Sequence, residues 1–222
     1  MTVLAVITSM ILVVWFALQN SFAYSVDASH QREAARDAVS RMTVVIRDAQ
    51  SASLKDQNGV VTSASAITVA EPEAQDSEIV FNTSYAQSGN ANVLSDPATS
   101  GNNNAVEQAA FIYVPSEGKI YYLVGSNDTR LTAAQLADPS ANGGSVIVDH
   151  VVNNANGTPV FTYTYFADDG TITQTTQTTP MPTGVSPYTV QIHVLVDLNP
   201  GHTPVYMDLQ STAQPRNMRP ST

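Results

Sequence analysis

The amino-terminal part of the chain carries no charged side chain over residues 1–26, and this constrains what the rest can fold into. The first charged residue is Asp27, and the first glycine or proline is Gly59. Because nothing between them breaks a helix, we expect one helix from Thr2 to beyond Ser53, on the order of 80 Å long. A small head could not cover such a helix, so its apolar half must be buried in something else.

Three environments could bury this half. The apolar run to Phe22 is long enough to cross a hydrocarbon core of about 30 Å. A cleaved secretory signal is a second alternative, because Ala23-Tyr24-Ser25 offers small residues to a peptidase. That alternative lacks the basic segment that opens most signals, since no Lys or Arg precedes the run. The third environment is a bundle of identical segments in an assembly.

Beyond Asp27 the helical pattern continues and becomes amphipathic. Apolar residues recur at steps of three and four, which predicts one stripe facing a core. These residues are Ala28, Ala35, Ala38, Met42, Val45 and Ala49. The charged residues between them indicate a solvated face. We therefore expect an N-terminal helix over 1–56, with an apolar half, 1–24, and an amphipathic half, 25–56, followed by a head over 57–222.

An apolar half-helix that runs directly into Arg36-Asp-Ala-Val-Ser-Arg-Met-Thr-Val-Val-Ile-Arg-Asp-Ala49 resembles the type IV pilins and the pseudopilins of type II secretion. Val146-Ile-Val-Asp149, residues 159–165 and Arg216-Asn217 are similar to the heads of minor pilins and J-type pseudopilins. The resemblance implies a structural filament subunit with Met1 as its processed, N-methylated first residue. The residues that it implies for packing in the filament core are Met1, Val3, Leu4, Val6, Ile7, Met10, Ile11, Val14, Trp15 and Leu18.

The same resemblance implies partners and a location. The partners are copies of this chain or other pilins, the pilus assembly machinery and, before assembly, the inner membrane. The filament itself is expected outside the cell, where adhesion, motility, DNA uptake and secretion all remain open as roles. The chain departs from the family at Ala5, where pilins typically carry a Glu that pairs with the amino terminus of a neighbouring subunit. Docking would then depend on apolar packing.

Charge and composition argue against several other functions. Residues 1–56 hold five acidic and five basic residues, and the remainder holds fourteen acidic against four basic, which accounts for the net charge of −10. An acidic head disfavours bulk binding of nucleic acid. The chain has no cysteine, and its four histidines show no metal-ligand spacing. We expect no metal, no cofactor and no catalysis, and interpret Asp149-His150 and Asp168-Asp169 as strand-edge and turn residues.

The head is expected to be a meander of strands, which makes the fold class α+β with a long N-terminal helix on an antiparallel sheet. Turn chemistry predicts a hairpin at Pro115-Ser-Glu-Gly118 and a long surface loop over 82–107. The strands are expected at 66–69, 78–81, 109–114, 119–124, 145–152, 160–166, 171–175, 188–198 and 205–209. Alternation predicts that Val190, Ile192, Val194, Val196 and Leu198, and then Val205, Met207 and Leu209, face the core.

Two further expectations concern the surface of the head. Asn82, Asn127 and Asn156 each begin an Asn-x-Ser/Thr triplet and are candidate glycosylation sites. The main alternative function is a membrane-anchored, β-rich binding protein. It predicts an aromatic binding surface near Tyr113, Tyr121, Tyr122, Tyr163 and Tyr165. A third class, a secreted enzyme, predicts a mature chain that begins near Ser25.

Overall fold

The computed structural model describes residues 2–56, 58–64, 66–68, 77–83, 107–125, 129–166, 170–174, 187–200 and 204–215. Only the backbone is described for residues 2–6, 52, 55, 62–64, 68 and 174. The helices are α1 (Thr2–Arg47) and α2 (Ala133–Ala137), and Asn154–Asn156 form a 3-10 turn. The strands are β1 (Ala52–Lys55), β2 (Val61–Ala64), β3 (Ile67–Thr68), β4 (Glu78–Thr83), β5 (Glu107–Val114), β6 (Lys119–Val124), β7 (Ser145–Val148), β8 (Phe161–Phe166), β9 (Ile172–Gln174), β10 (Thr189–Asp197) and β11 (Tyr206–Ala213).

Helix α1 is continuous over 46 residues, about 69 Å, but it ends earlier than the sequence predicted. After Arg47 the backbone nitrogen of Gln50 donates to the carbonyl of Asn82 at 3.0 Å, which ties the chain to the end of β4. Residues 52–55 then form β1 in place of the expected helix. The pairing with β2 and with Asn82 supplies the backbone hydrogen bonds that a longer helix would have made within itself.

A turn from Asp56 to Gly59 joins β1 and β2. The Oδ1 atom of Asp56 accepts hydrogen bonds from the backbone nitrogens of Asn58 (2.9 Å) and Val60 (2.8 Å). Gly59 has φ of +78°, a conformation that favours glycine. The turn closes an antiparallel β1–β2 hairpin, in which Leu54 is fully buried.

The rest of the head is built from two antiparallel sheets. The five-stranded sheet has the order β3-β4-β5-β6-β7, and the four-stranded sheet has the order β11-β10-β8-β9. Residues Pro115–Gly118 form the turn between β5 and β6, as predicted. Gly118 has φ of +63°, and its carbonyl accepts a hydrogen bond at 2.7 Å from the nitrogen of Val151, which follows β7. The α+β fold, with a long N-terminal helix and antiparallel sheets, agrees with the sequence prediction.

The main core lies between the amphipathic half of α1 and both sheets. The predicted helix stripe is buried in full, and Val39 and Ile46 extend it. The hydroxyl of Tyr163 on β8 donates to the carbonyl of Glu78 on β4 at 2.8 Å, a hydrogen bond that joins the two sheets inside this core. The side chain of Asn153, also fully buried, bonds to the backbone of His193 and Leu195 on β10. Helix and sheets therefore fold as one unit.

The other face of the five-stranded sheet is covered by α2 and its flanks. Val80, Ala110, Ile112, Leu123 and Leu131 form a second, smaller apolar cluster there. Thr132 caps α2 by accepting from the nitrogen of Gln135, whose side chain accepts from the nitrogen of Thr132 in return. The five-stranded sheet is thus buried on both faces.

Several strand predictions need correction. Residues 82–83 and 107, expected in the surface loop, belong to β4 and β5, and residues 84–106 lie outside the described part. Strand β11 extends to Ala213 and not to residue 209.

Strand β7 ends at Val148 and not at Val152, because His150 adopts φ of +57° and leaves Val151 as an isolated bridge to Val196. Val205 precedes β11 and is 41% exposed, so it does not face the core. Met207 and Leu209 lie at the margin of the core and are partly buried. On β10 the predicted alternation is confirmed, with every second residue from Val190 to Val196 buried.

Candidate assembly site

The apolar half of α1 is exposed wherever its side chains are described. Its large apolar side chains between Ile7 and Val26 are 42–70% exposed. They are Ile7, Met10, Ile11, Leu12, Val13, Val14, Trp15, Phe16, Leu18, Phe22, Tyr24 and Val26. Among the described side chains of α1, Ala28 is the first that is buried. We call residues 2–27 the projecting segment, which extends about 39 Å at 1.5 Å per residue.

This exposure is large compared with the stability of a domain. Removing the twelve side chains named above from water is worth on the order of 10–20 kcal/mol. Folded domains are stable by about 5–15 kcal/mol. The projecting segment therefore has a strong driving force to enter a bilayer or to pack against other chains.

The central part of the projecting segment, residues 10–18, is apolar around its whole circumference. Residues 10–16 are consecutive, large and apolar, so they point in every direction around the helix axis. A helix of this kind is buried on all sides in its functional state. Among the described residues, one helix is long and apolar enough to cross a membrane, and its apolar window, which begins at Ile7, has a mean hydropathy of 1.4.

One side of this helix has a shallow groove. The small side chain of Ser9 leaves a depression bordered by Met10, Val13 and Val14. Residues separated by four positions form the ridges and grooves through which helices interlock. The groove is suited to a ridge on another helix.

The structure places the predicted packing residues as follows. Ile7, Met10, Ile11, Val14, Trp15 and Leu18 are exposed on the projecting segment. Met1 and the side chains of Val3, Leu4 and Val6 lie outside the described part. Leu12, Val13, Phe16 and Phe22, which the sequence prediction did not name, are exposed to a similar extent. The signal for them was the absence of any polar face.

The three glycosylation candidates differ in accessibility. Asn82 lies within β4 and is fully buried, so its side chain is closed to a glycan in the folded head, contrary to the sequence prediction. Asn127 lies outside the described residues. Asn156 is exposed in the 3-10 turn, where its side-chain nitrogen donates to the carbonyl of Val152 at 3.0 Å. Of the two described candidates, only Asn156 is accessible.

The predicted aromatic binding surface does not exist. Tyr113, Tyr121, Tyr122, Tyr163 and Tyr165 are all at most 6% exposed. Tyr113, Tyr121 and Tyr122 belong to the five-stranded sheet, which is covered on both faces. Tyr163 and Tyr165 are on β8 of the four-stranded sheet and are part of the main core. The hydroxyl of Tyr113, for example, donates to the carbonyl of Val151 and accepts from the nitrogen of Asn154, each at 3.3 Å.

A small cleft of about 130 Å³ opens beside Tyr113. It is lined by Ser77, Tyr113, Pro115, Asn154, Gly157, Thr158 and Val160. Pockets that enclose a small-molecule ligand usually measure about 300–1,000 Å³. The cleft offers less space than such a ligand needs.

Two described histidines, His150 and His193, each lie beside a single carboxylate. His193 Nε2 lies 2.9 Å from Asp208 Oδ1 on the solvent face of β10 and β11. His150 Nδ1 lies 4.0 Å from Asp149 Oδ1. Asp168 and Asp169 lie outside the described residues. Among the residues described, no three His, Cys, Asp or Glu side chains are grouped to hold a metal ion.

Comparison with known proteins gives no family. No protein-family model matches the chain, and no curated protein matches it significantly. The functional argument therefore rests on the projecting segment and on the fold.

Proposed function

We propose that this chain is a structural subunit of a type IV pilin-like filament. The projecting segments of many copies bundle in a dry core, and the β heads form the outer shell. Before assembly the segment sits in the inner membrane, and Met1 is the processed and methylated first residue. The resemblance of residues 146–149, 159–165 and 216–217 to minor pilins and J-type pseudopilins supports this proposal.

The observation that carries the proposal is the contrast between the two halves of one unbroken helix. The amphipathic half is held on the head by a stripe of buried side chains such as Met42 and Ile46. The other half, residues 1–24, carries no charge, and its large apolar side chains from Ile7 onward are exposed to solvent. A simple anchor would need no rigid continuity with the head, whereas a bundle of stacked subunits does, because the helix fixes the spacing between core and shell.

The membrane-anchored binding protein is the competing function, and the structure weakens its basis. The tyrosines proposed as its binding surface are buried. The projecting segment alone remains consistent with both functions, so the tests must separate single membrane-bound copies from filaments.

The first test examines material sheared from cells by electron microscopy, with mass spectrometry of the N-terminal peptide. Thin filaments that contain this chain, with a methylated peptide beginning at Met1, are the expected result. Single copies confined to the membrane, or a chain beginning near Ser25, would contradict the proposal.

The second test substitutes one residue of the projecting segment. Ile11→Arg places a charge in the dry core and should abolish filaments, because a charge in an apolar environment is costly. Ile11→Leu keeps the volume and the apolar character and is the matched control, which should assemble normally. Filament yield relative to total protein is the measurement. Normal filaments from Ile11→Arg would show that this segment does not form the core.

A further inference from the structure

Three of the four arginines on α1 have no acidic partner in the described part of the chain. Arg41 pairs with Asp37, with 2.7 Å between Nη2 and Oδ2. Arg32, Arg36 and Arg47 are exposed, and none of the ion pairs among the described residues includes them. An amphipathic helix with free acidic neighbours commonly pairs its charges at steps of three or four. Within the described residues, these three charges remain available for a contact with another copy.

The three unpaired arginines share one side of the helix. At 3.6 residues per turn they fall within about 60° of the circumference and along about 22 Å of the axis. We call them the basic ridge. Thr43 lies on the same side and contacts Ser211 of β11, with 2.8 Å between the two hydroxyl oxygens. The ridge therefore runs beside β11, outside the buried stripe.

The head exposes a complementary surface. Three carboxylates act on the hydroxyl of Tyr121: Glu117 from the β5–β6 turn, Asp138 at the end of α2 and Asp149 after β7. The hydrogen bond to Glu117, burial and the charges of these three residues raise the pKa of this hydroxyl. We call these three carboxylates the acidic patch; each of the three residues is exposed. The nearest cation described is Lys119, 3.7 Å from Glu117.

The two surfaces match in charge, and no ion pair joins them within the described part of one chain. We propose that the basic ridge of one copy docks against the acidic patch of a neighbouring copy. This inference rests on the filament proposed above and names the polar contact that accompanies its apolar core. It is consistent with the distribution of charge, since residues 1–56 are neutral and the remainder carries the net charge of −10. Complementary patches of this kind set register and orientation between partners.

Charge reversal with rescue tests the contact. Arg32→Glu with Arg36→Glu should lower filament yield by about tenfold, because like charges then face each other. Glu117→Lys with Asp149→Lys should have a similar effect. Combining all four substitutions should restore the yield to within about twofold of the wild type, since the charges are exchanged and not lost. Thermal unfolding of each variant in detergent checks that the head is folded.

A milder matched pair controls for effects on the helix itself. Arg36→Gln removes a ridge charge and should lower the yield and its sensitivity to salt. Arg41→Gln removes a charge that is already paired within the chain and should change neither. Both substitutions keep a long polar side chain of good helix propensity.

The absence of cysteine permits a direct measurement of proximity. Cells that express one copy with Arg36→Cys and another with Asp149→Cys should give mixed dimers with a short bismaleimide crosslinker. Arg41→Cys combined with Asp149→Cys is the control and should give few. The same crosslinking on protein extracted in detergent, with both pairs at the same protein concentration, tests the contact in the absence of filaments.

The outcomes separate the two proposals. If both charge-reversed variants form filaments at the wild-type yield and no crosslinks appear, the ridge-to-patch contact is wrong. The filament proposal itself would be unaffected. Loss of yield from ridge reversal alone, with no effect of patch reversal, would also overturn it and would assign the ridge to lipid phosphates. If wild-type cells make no filaments, the proposed function fails, and specific crosslinks would then show a contact between copies without a filament.

Discussion

At the scale of single residues, Tyr121 shows how an aromatic side chain serves the fold and not a ligand. Its ring is buried on β6, and its hydroxyl donates to Glu117 across the β5–β6 turn. The negative charges of Asp149 and Asp138 also act on that hydroxyl. The hydrogen bond to Glu117, burial and these charges raise the pKa of Tyr121 from 10.0 to about 12. The neutral phenol is therefore favoured in the folded head.

This shift predicts a loss of stability in alkali. Because the folded pKa exceeds the unfolded one, the contribution of Tyr121 is fully present below pH 10 and is lost as the pH rises through about 12. Tyr121→Phe keeps the buried ring and removes the ionisable group. Its melting temperature should fall less steeply across this pH range than that of the wild type.

Thermal unfolding at a series of pH values measures this difference. Tyr206→Phe, at an exposed tyrosine of β11, controls for the loss of a hydroxyl alone. Identical slopes for Tyr121→Phe and the wild type would contradict the prediction. Other buried tyrosines keep some alkaline sensitivity in both proteins, since burial also raises the pKa of Tyr113 and Tyr122.

At the scale of elements, the docked half of α1 holds the two sheets together. Its buried side chains meet residues from both sheets in one core. Thr43, at the edge of this stripe, bonds to the carbonyl of Val39 as well as to Ser211. The helix is therefore an internal part of the head, and its apolar contacts should dominate the stability of the head.

Substitution on opposite faces of α1 tests this role. Met42 is fully buried, and Met42→Ala should reduce the free energy of unfolding by about 2–5 kcal/mol through the cavity it leaves. Val44, two positions along, is 47% exposed, and Val44→Ala should cost less than about 1 kcal/mol. Denaturant unfolding in mild detergent gives both values. Equal losses would mean that the helix is not packed as described.

At the scale of the whole molecule, the described residues divide into a packed head and a projecting segment whose large apolar side chains are exposed. The apolar contacts described above begin at Ala28, and the projecting segment contributes none of them. A chain that begins at Ala28 should therefore be monomeric in water without detergent. Its melting temperature should lie within a few degrees of that of the full chain in mild detergent. Size-exclusion chromatography and circular dichroism measure both properties, and aggregation of the shortened chain would show that the segment stabilises the head.

The sequence was sufficient to predict features whose signal is local and periodic. The buried stripe of α1 follows from steps of three and four, and the inward residues of β10 follow from strict alternation. The β5–β6 hairpin follows from its turn residues. In each case the pattern within about ten residues determines which side faces the core.

Features that depend on distant pairing were not predictable in this way. The helix ends at Arg47 because the next residues pair with β2 and with Asn82, and no local signal marks that choice. The burial of Tyr121 and of Asn82 depends on cover from other elements on both faces of the sheet. For the candidate site, the apolar run is evident in the sequence. The acidic patch could not be predicted because its three carboxylates come from three separate segments.

The unbroken backbone of α1 also has a mechanical consequence. From Thr2 to Arg47 it contains no glycine or proline, so it has no built-in hinge at which a pull could be dissipated. Tension applied to the projecting segment would pass along the helix as shear on the stripe that includes Met42 and Ile46. Rupture under load should then begin where the helix slides against the sheets, and the rod itself should stay straight.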